Sequence, residues 1–263
     1  MFSVRNYATE ATQRAVRVLH ESCGTAVRSV SEYRLDRITE APPIIVVPSV
    51  QYFDTAAWDR LIALVRSGST LIVTGVIDRD AHWMPAERSS MFGKRTGLRP
   101  VASDEYVVID ARRHELTFRN EKIERLHMST VEGEKEARVM VYEPTDILPG
   151  ERKAGSGKVV WCPLPLELAV EEEPTTALYR YSMNLAGVRP DHTVRANPLR
   201  ALIRTTKFAS CTLYMVVNES EQEGTVSVKD ERSGAILEVF MQPQRSTFVL
   251  QDANSGNMID KME

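Results

Sequence analysis

Six residues stand where a ligand would meet this chain: Ser49, Tyr52, Asp78, Asp80, His82 and Trp83. Each lies in a loop leaving one of two short apolar runs, residues 44–47 (IIVV) and 71–73 (LIV). Their chemistry is varied. A serine beside a histidine base can act as a nucleophile. Two carboxylates facing each other across a cleft can cleave a glycosidic bond. A tryptophan face can stack on the C–H patches of a sugar ring. Nothing in the spacing pairs two carboxylates, whether Glu32, Asp78, Asp80 or Glu167 is chosen. The six are therefore ligand or interface candidates, and no catalytic residue is assigned.

Other chemistries find less support. There is no G-x-G-x-x-G and no P-loop lysine pattern, so no nucleotide cofactor is expected. Gly155-Ser156-Gly157-Lys158 precedes a strand rather than following one, which suits a flexible linker. The five histidines and three cysteines show neither His-x-x-x-His nor Cys-x-x-Cys spacing, so no metal is expected. Cys162 is followed by Pro163 and reads as a buried thiol. The run Glu171-Glu172-Glu173 reads as a solvated helix start, where negative charge suits the dipole.

The elements that must position these residues follow from apolar spacing. Residues 44–47 and 71–73 are short enough to be strands buried on both faces. Between them, Asp54 caps a helix whose apolar face is Ala57, Trp58, Leu61, Ile62, Leu64 and Val65, with Gly68 as its stop. This is a βαβ unit, and ligands of open α/β sheets bind beyond the C-terminal strand ends. A helix over 8–23 and a strand over 27–30 precede it. The first strand of the sheet is either the stub at 2–4 or missing. Residues 84–157 carry short alternating stretches that read as antiparallel hairpins inserted into the α/β domain. Residues 158–162 return as a strand. Pro174 then opens a helix with Leu178, Tyr181, Met183, Leu185 and Ala186 as its apolar side. After 189–198 the pattern is strands and turns only, which predicts a small β-sandwich. The expected domains are thus 1–190, with its insertion at 84–157, and 191–263.

Bulk composition narrows the function classes. A formal net charge of −3 over 263 residues gives no basic footprint for nucleic acid. No apolar run reaches the roughly 20 residues of a membrane helix. Three widely spaced cysteines fit a reducing, cytoplasmic compartment without a disulfide framework.

Two long stretches carry a family likeness. IIVVPSVQYFDTAAWDRLIALVRSGSTLIVTGVIDRD, and much later GKVVWCPLPLELAVEEEPTTALYRYSMNLAGV, resemble the middle domain of family-42 β-galactosidases. The tail LYMVVNESEQEGTVSVKDERSGAILEVF is similar to the small β domain that closes those enzymes. The resemblance implies a flavodoxin-like parallel sheet of the class I amidotransferase type. In the family this is a trimerisation domain, so it implies self-association and a partnership with a catalytic barrel. That barrel and the amidotransferase cysteine are both absent, so no catalytic residue carries over. The resemblance implies an accessory, oligomerising region of a carbohydrate-cleaving enzyme. A stand-alone carbohydrate-binding module is the alternative. A third reading is a degenerate amidotransferase-like hydrolase using Ser49.

Overall fold

The computed structural model describes residues 7–119, 125–144 and 157–262. The proposed stub at 2–4 and the loop at 149–156 lie outside the described residues. The chain divides into two compact units, Met1–Ala15 with Ser29–Val188, and Val16–Arg28 with Arg189–Glu263. The first helix, α1 (Tyr7–Glu21), contributes to both. Its buried residues Ala11, Ala15, Val18 and Leu19 follow helical spacing.

The first unit is mixed α/β. Strands β1 (Ile44–Val50) and β2 (Thr70–Gly75) are parallel, in register from Ile44 opposite Thr70 to Val47 opposite Val73. Helix α2 (Thr55–Arg66) crosses between them. Its start is set by Asp54, whose side chain accepts from the Ala57 amide at 3.0 Å. Asp54→Ala removes that cap, and urea unfolding is expected to show a loss of about 1 kcal/mol. Every residue of β2 is buried, as a central strand of a covered sheet requires. Gly75 has φ +94°, and a Cβ there would lie 2.2 Å from the Val50 carbonyl oxygen. The close approach of β1 to the end of β2 therefore depends on glycine.

The described residues between 84 and 157 form more than plain antiparallel hairpins. Strands β3 (Thr96–Pro100) and β6 (His127–Val131) do pair antiparallel. So do β4 (Asp104–Ile109) and β5 (Arg112–Thr117), joined through Asp110 and Ala111, both at positive φ. Two left-handed residues at the tip match the right-handed twist of the ribbon. However, β7 (Ala137–Arg138) runs parallel to β4, and β8 (Met140–Tyr142) joins the main sheet. With β9 (Lys158–Cys162), that sheet has the order β1-β2-β9-β8, the last strand antiparallel. Gly157 enters β9 packed against backbone. A Cβ there would be 2.2 Å from the carbonyl oxygens of Ser69 and Val65, so it is a packing glycine rather than a phosphate-loop one.

Two expectations need correction. Residues 27–30 form no strand; they lead into a 3-10 turn at Glu32–Arg37. A strand exists only with a partner edge, and the β-branched residues of this short segment find none. Helix α3 (Glu173–Leu185) starts at the predicted place but buries Tyr179, not Tyr181, beside Leu178 and Met183. The acidic run at its start keeps Glu172 and Glu173 exposed, as a solvated helix start would, yet two of its carboxylates have hydrogen-bond partners. Glu171 accepts from the Thr117 amide at 2.8 Å, and Glu173 meets His114 at 2.8 Å.

The second unit carries two antiparallel sheets around one apolar cluster of Ile203, Tyr214, Val216, Val226, Val239 and Val249, among others. One sheet has β10 (His192–Ala196), β13 (Gly224–Asp230) and β14 (Ile236–Met241). The other has β11 (Leu202–Lys207), β12 (Cys211–Val217), β15 (Ser246–Asp252) and β16 (Met258–Met262). Along β14, Leu237, Val239 and Met241 are buried and Ile236, Glu238 and Phe240 exposed. That alternation puts one face of the sheet on the core. Among the described residues, no helix is long and apolar enough to cross a membrane.

Candidate functional site

The C-terminal ends of β1 and β2 gather the six sequence candidates, and the structure splits them into two groups. Ser49 and Asp78 are buried, whereas Tyr52, His82 and Trp83 are exposed and Asp80 braces the loop between.

Ser49 stands near the end of β1 at φ +45°, a left-handed conformation that costs a non-glycine residue on the order of 1 kcal/mol or more. The turn aims its hydroxyl inward. Its Oγ donates to Glu167 Oε2 at 2.7 Å. The Thr74 hydroxyl at the end of β2 donates to the same oxygen at 2.5 Å and accepts from the Ser49 amide at 2.6 Å. The Tyr179 hydroxyl on α3 donates to Glu167 Oε1 at 2.6 Å. Glu167 sits on a 3-10 turn, Leu166–Leu168, just beyond β9. Three hydroxyls from three elements thus converge on one carboxylate with no exposure to solvent.

Hydroxyl and carboxylate at 2.7 Å is the distance of a nucleophile and its base. Access is what separates the two roles. Thr74, Glu167 and Tyr179 are fully buried and Ser49 nearly so. A groove of about 340 Å³ runs beside Thr55, Trp58, Asp59, Asp80, Pro85 and Arg88, and none of the four network residues lines it. The cluster can tie β1, β2, the turn after β9 and α3 together, but no substrate reaches it in this geometry.

The second group forms a braced loop. Asp78 Oδ1 accepts from the Ser89 amide at 2.7 Å, and the Thr96 hydroxyl donates to its other oxygen. Arg88 lies beneath, buried, donating to the carbonyls of Ile77, Arg79 and Phe53 at 2.9 to 3.1 Å, with its guanidinium 5.3 Å from the Trp58 ring centre. Burial lowers its pKa, while the nearby carboxylates of Asp78 and Asp80 oppose the shift. Asp80 Oδ1 accepts from the amides of Met84 and His82, both at 2.8 Å, and these bonds hold its carboxyl below the usual range. They fold residues 80–84 into a tight turn with Trp83 at φ +63°. The Trp83 ring meets His127 edge-on at 5.3 Å, and Gln51 fixes the His127 backbone with bonds of 3.1 and 2.9 Å. Tyr52, Trp83 and Met84 are left exposed.

Cys162 is fully buried, and desolvation pushes its thiol far above the ordinary range, so it is no nucleophile at neutral pH. Among the described residues, no group of three or more His, Cys, Asp and Glu side chains could hold a metal ion. Sequence reasoning missed the Glu167 network and the role of Arg88. The available signal was a glutamate inside the apolar run 164–170 (LPLELAV), where an acid must find partners.

No family model matches the chain, and no curated protein matches it in sequence. Solved structures do match in fold. A catalytic mutant of Gan42B, a GH42 β-galactosidase from G. stearothermophilus, superposes over 95% of this chain and 37% of its own, with TM-score 0.63 and 14% identity. The β-galactosidase of Bacillus circulans sp. alkalophilus gives 0.62 at 12% identity over 95% of this chain and 38% of its own. The fold is that of part of a GH42 β-galactosidase. The β-galactosidase from the haloarchaeon Halorubrum lacusprofundi agrees, at TM-score 0.54 and 17% identity, over 92% of this chain and 35% of its own. The present chain thus spans little more than a third of these enzymes' length. At such identities the likeness to the GH42 enzymes is one of fold, and it assigns no residue a role.

Proposed function

We propose that this chain is a non-catalytic accessory region of a carbohydrate-cleaving enzyme related to the GH42 β-galactosidases. In this reading the first unit is the amidotransferase-like domain that holds subunits together. The second is the small β-sandwich that accompanies it. A catalytic barrel, in the same or another polypeptide, supplies the acid and the nucleophile. One observation carries the reading: the Glu167 carboxylate, paired with the Ser49 hydroxyl at the strand ends, is sealed and spent on internal hydrogen bonds. The fold likeness over nearly the whole chain, but only a third of the enzymes, supports it.

Self-association follows from the same reading. Sedimentation at high micromolar concentration is expected to show an oligomer, a trimer by analogy with the family. A monomer throughout the concentration range would count against it.

Carbohydrate binding through the turn at 80–84 is the second reading. Its support is Trp83, an exposed ring on a loop braced by Asp80, His127 and Gln51. Stacking on a sugar needs such a fixed aromatic face. Calorimetry with galactosides and glucosides is expected to give heat that Trp83→Ala abolishes. Equal heats from both proteins would remove this reading.

A further inference from the structure

The second unit contains a buried imidazole with no hydrogen-bond partner among the described residues. His192 opens β10 and is 1% exposed, and neither its Nδ1 nor its Nε2 has a hydrogen-bonding partner among the described residues. It sits at a joint. The amides of Asp191 and His192 both donate to the Gly24 carbonyl, at 2.7 and 3.2 Å, tying the turn after α1 to the start of β10. The joint is tight. Gly24 has φ +61°, and a Cβ on it would stand 2.0 Å from the His192 carbonyl oxygen. Across the joint, His20 on the last turn of α1 also has an unpartnered Nδ1.

The charged groups around this imidazole are already committed. Asp191 accepts from the Ala26 amide at 3.0 Å and pairs with Lys207 on β11. Asp230 on β13, opposite His192 in the ladder, takes the Tyr214 hydroxyl of β12 on one oxygen. Its other oxygen takes the amides of Arg232 and Ser233, at 2.9 and 2.6 Å. The Tyr214 ring stands edge-on to His192 at 6.3 Å and offers it no acceptor. The remaining groups that act on it, His20 and Lys207, are cationic or become so, and Arg204 on β11 acts in turn on His20.

We propose that His192 is a proton-sensitive latch: neutral, it lets the turn after α1 close on β10; protonated, it opens that joint. A neutral imidazole buried without partners already costs stability. Taking one proton from water onto the free ring nitrogen adds a charge and a second unmet N–H, in a site where the carboxylates are occupied. Opening lets the ring reach water.

The sign follows from linkage. Burial lowers His192 from 6.5 to about 4, the carboxylates of Asp191 and Asp230 opposing and His20 and Lys207 adding to the fall. The open state therefore binds the proton more tightly than the closed one. Protection is complete above about 6.5 and is lost as pH falls toward 4, by about tenfold in the opening equilibrium per pH unit.

Hydrogen exchange of the whole chain from pH 7 to 4, corrected for intrinsic rates, reads this directly. The amides of Asp191 and His192 are expected to lose protection by about tenfold per unit below 6.5, while Ile72 in β2 does not. His192→Gln should flatten the dependence. The His192 ring resonances, followed in the unsubstituted protein, decide the matter even if that variant does not fold; a midpoint near 4 is expected. The proposal is overturned by a ring midpoint near 6.5, by protection that is constant across the range, or by an unchanged slope in His192→Gln.

Discussion

Glu167→Ala is expected to destabilise the protein by about 3–5 kcal/mol in urea unfolding, the scale of leaving two or three buried hydroxyls without their acceptor. The substitution leaves the hydroxyls of Ser49, Thr74 and Tyr179 facing one another in the dry interior. Each loses its acceptor, and an unmet buried donor costs about 1–3 kcal/mol. Ser49 loses in addition the interaction that holds its left-handed backbone. Tyr179→Phe removes one donor and leaves the carboxylate two others, so about 1–2 kcal/mol is expected there. The contrast between the two variants is informative. If Glu167→Ala costs less than Tyr179→Phe, water reaches the carboxylate and the cluster is an open site.

Trp161→Ala is expected to cost a similar amount, about 3–5 kcal/mol, for a different reason. The ring is wholly buried on β9 and packs against Phe92 at 5.3 Å, in the same apolar cluster as Leu61, Leu71 and Val73. Its loss leaves a cavity that the sheet and α2 cannot close without moving β2. Trp161→Phe fills most of the space but abandons the bond from Nε1 to the Gly75 carbonyl, 2.9 Å long. That bond satisfies the strand end where Gly75 meets Val50, so a loss of about 1–2 kcal/mol is expected from Phe alone. Thermal unfolding of both variants checks the order. Equal losses would place the cost in the hydrogen bond rather than the cavity.

Much of the first unit was legible because its signals are local. A four-residue apolar run, a capping aspartate three residues before Ala57, and glycines at 68 and 75 each act within a few residues. They specify β1, α2 and β2 without knowledge of distant partners. The same holds for β12 to β15, where alternation matches the pleat. Two of the four edge strands of the second unit were harder. β10 (HTVRA) and β16 (MIDKM) lie at the ends of their sheets, and every residue of β16 is exposed. Edge strands pack on fewer neighbours and need less apolar pattern to exist.

The carboxylate network was illegible for a reason of distance in sequence. Glu167 meets Ser49 from 118 residues away and Thr74 from 93. No spacing rule reaches across such intervals. The tyrosine assignment on α3 failed for the same cause. Tyr179 and Tyr181 are two positions apart and so face nearly opposite sides of the helix. The one that turns inward is the one whose hydroxyl Glu167 accepts. Of the six loop candidates, position alone grouped them at the strand ends; burial then divided them, which apolar spacing around a serine or an aspartate does not encode.

The claim that this polypeptide carries no chemistry of its own is tested most directly by assay of the purified 263-residue chain against a panel of chromogenic galactosides. No turnover above buffer is expected at any protein concentration, because Glu167 and Ser49 are closed to substrate. Hydrolysis that follows the protein through repeated purification, and disappears in a folded Ser49→Ala variant, would contradict it.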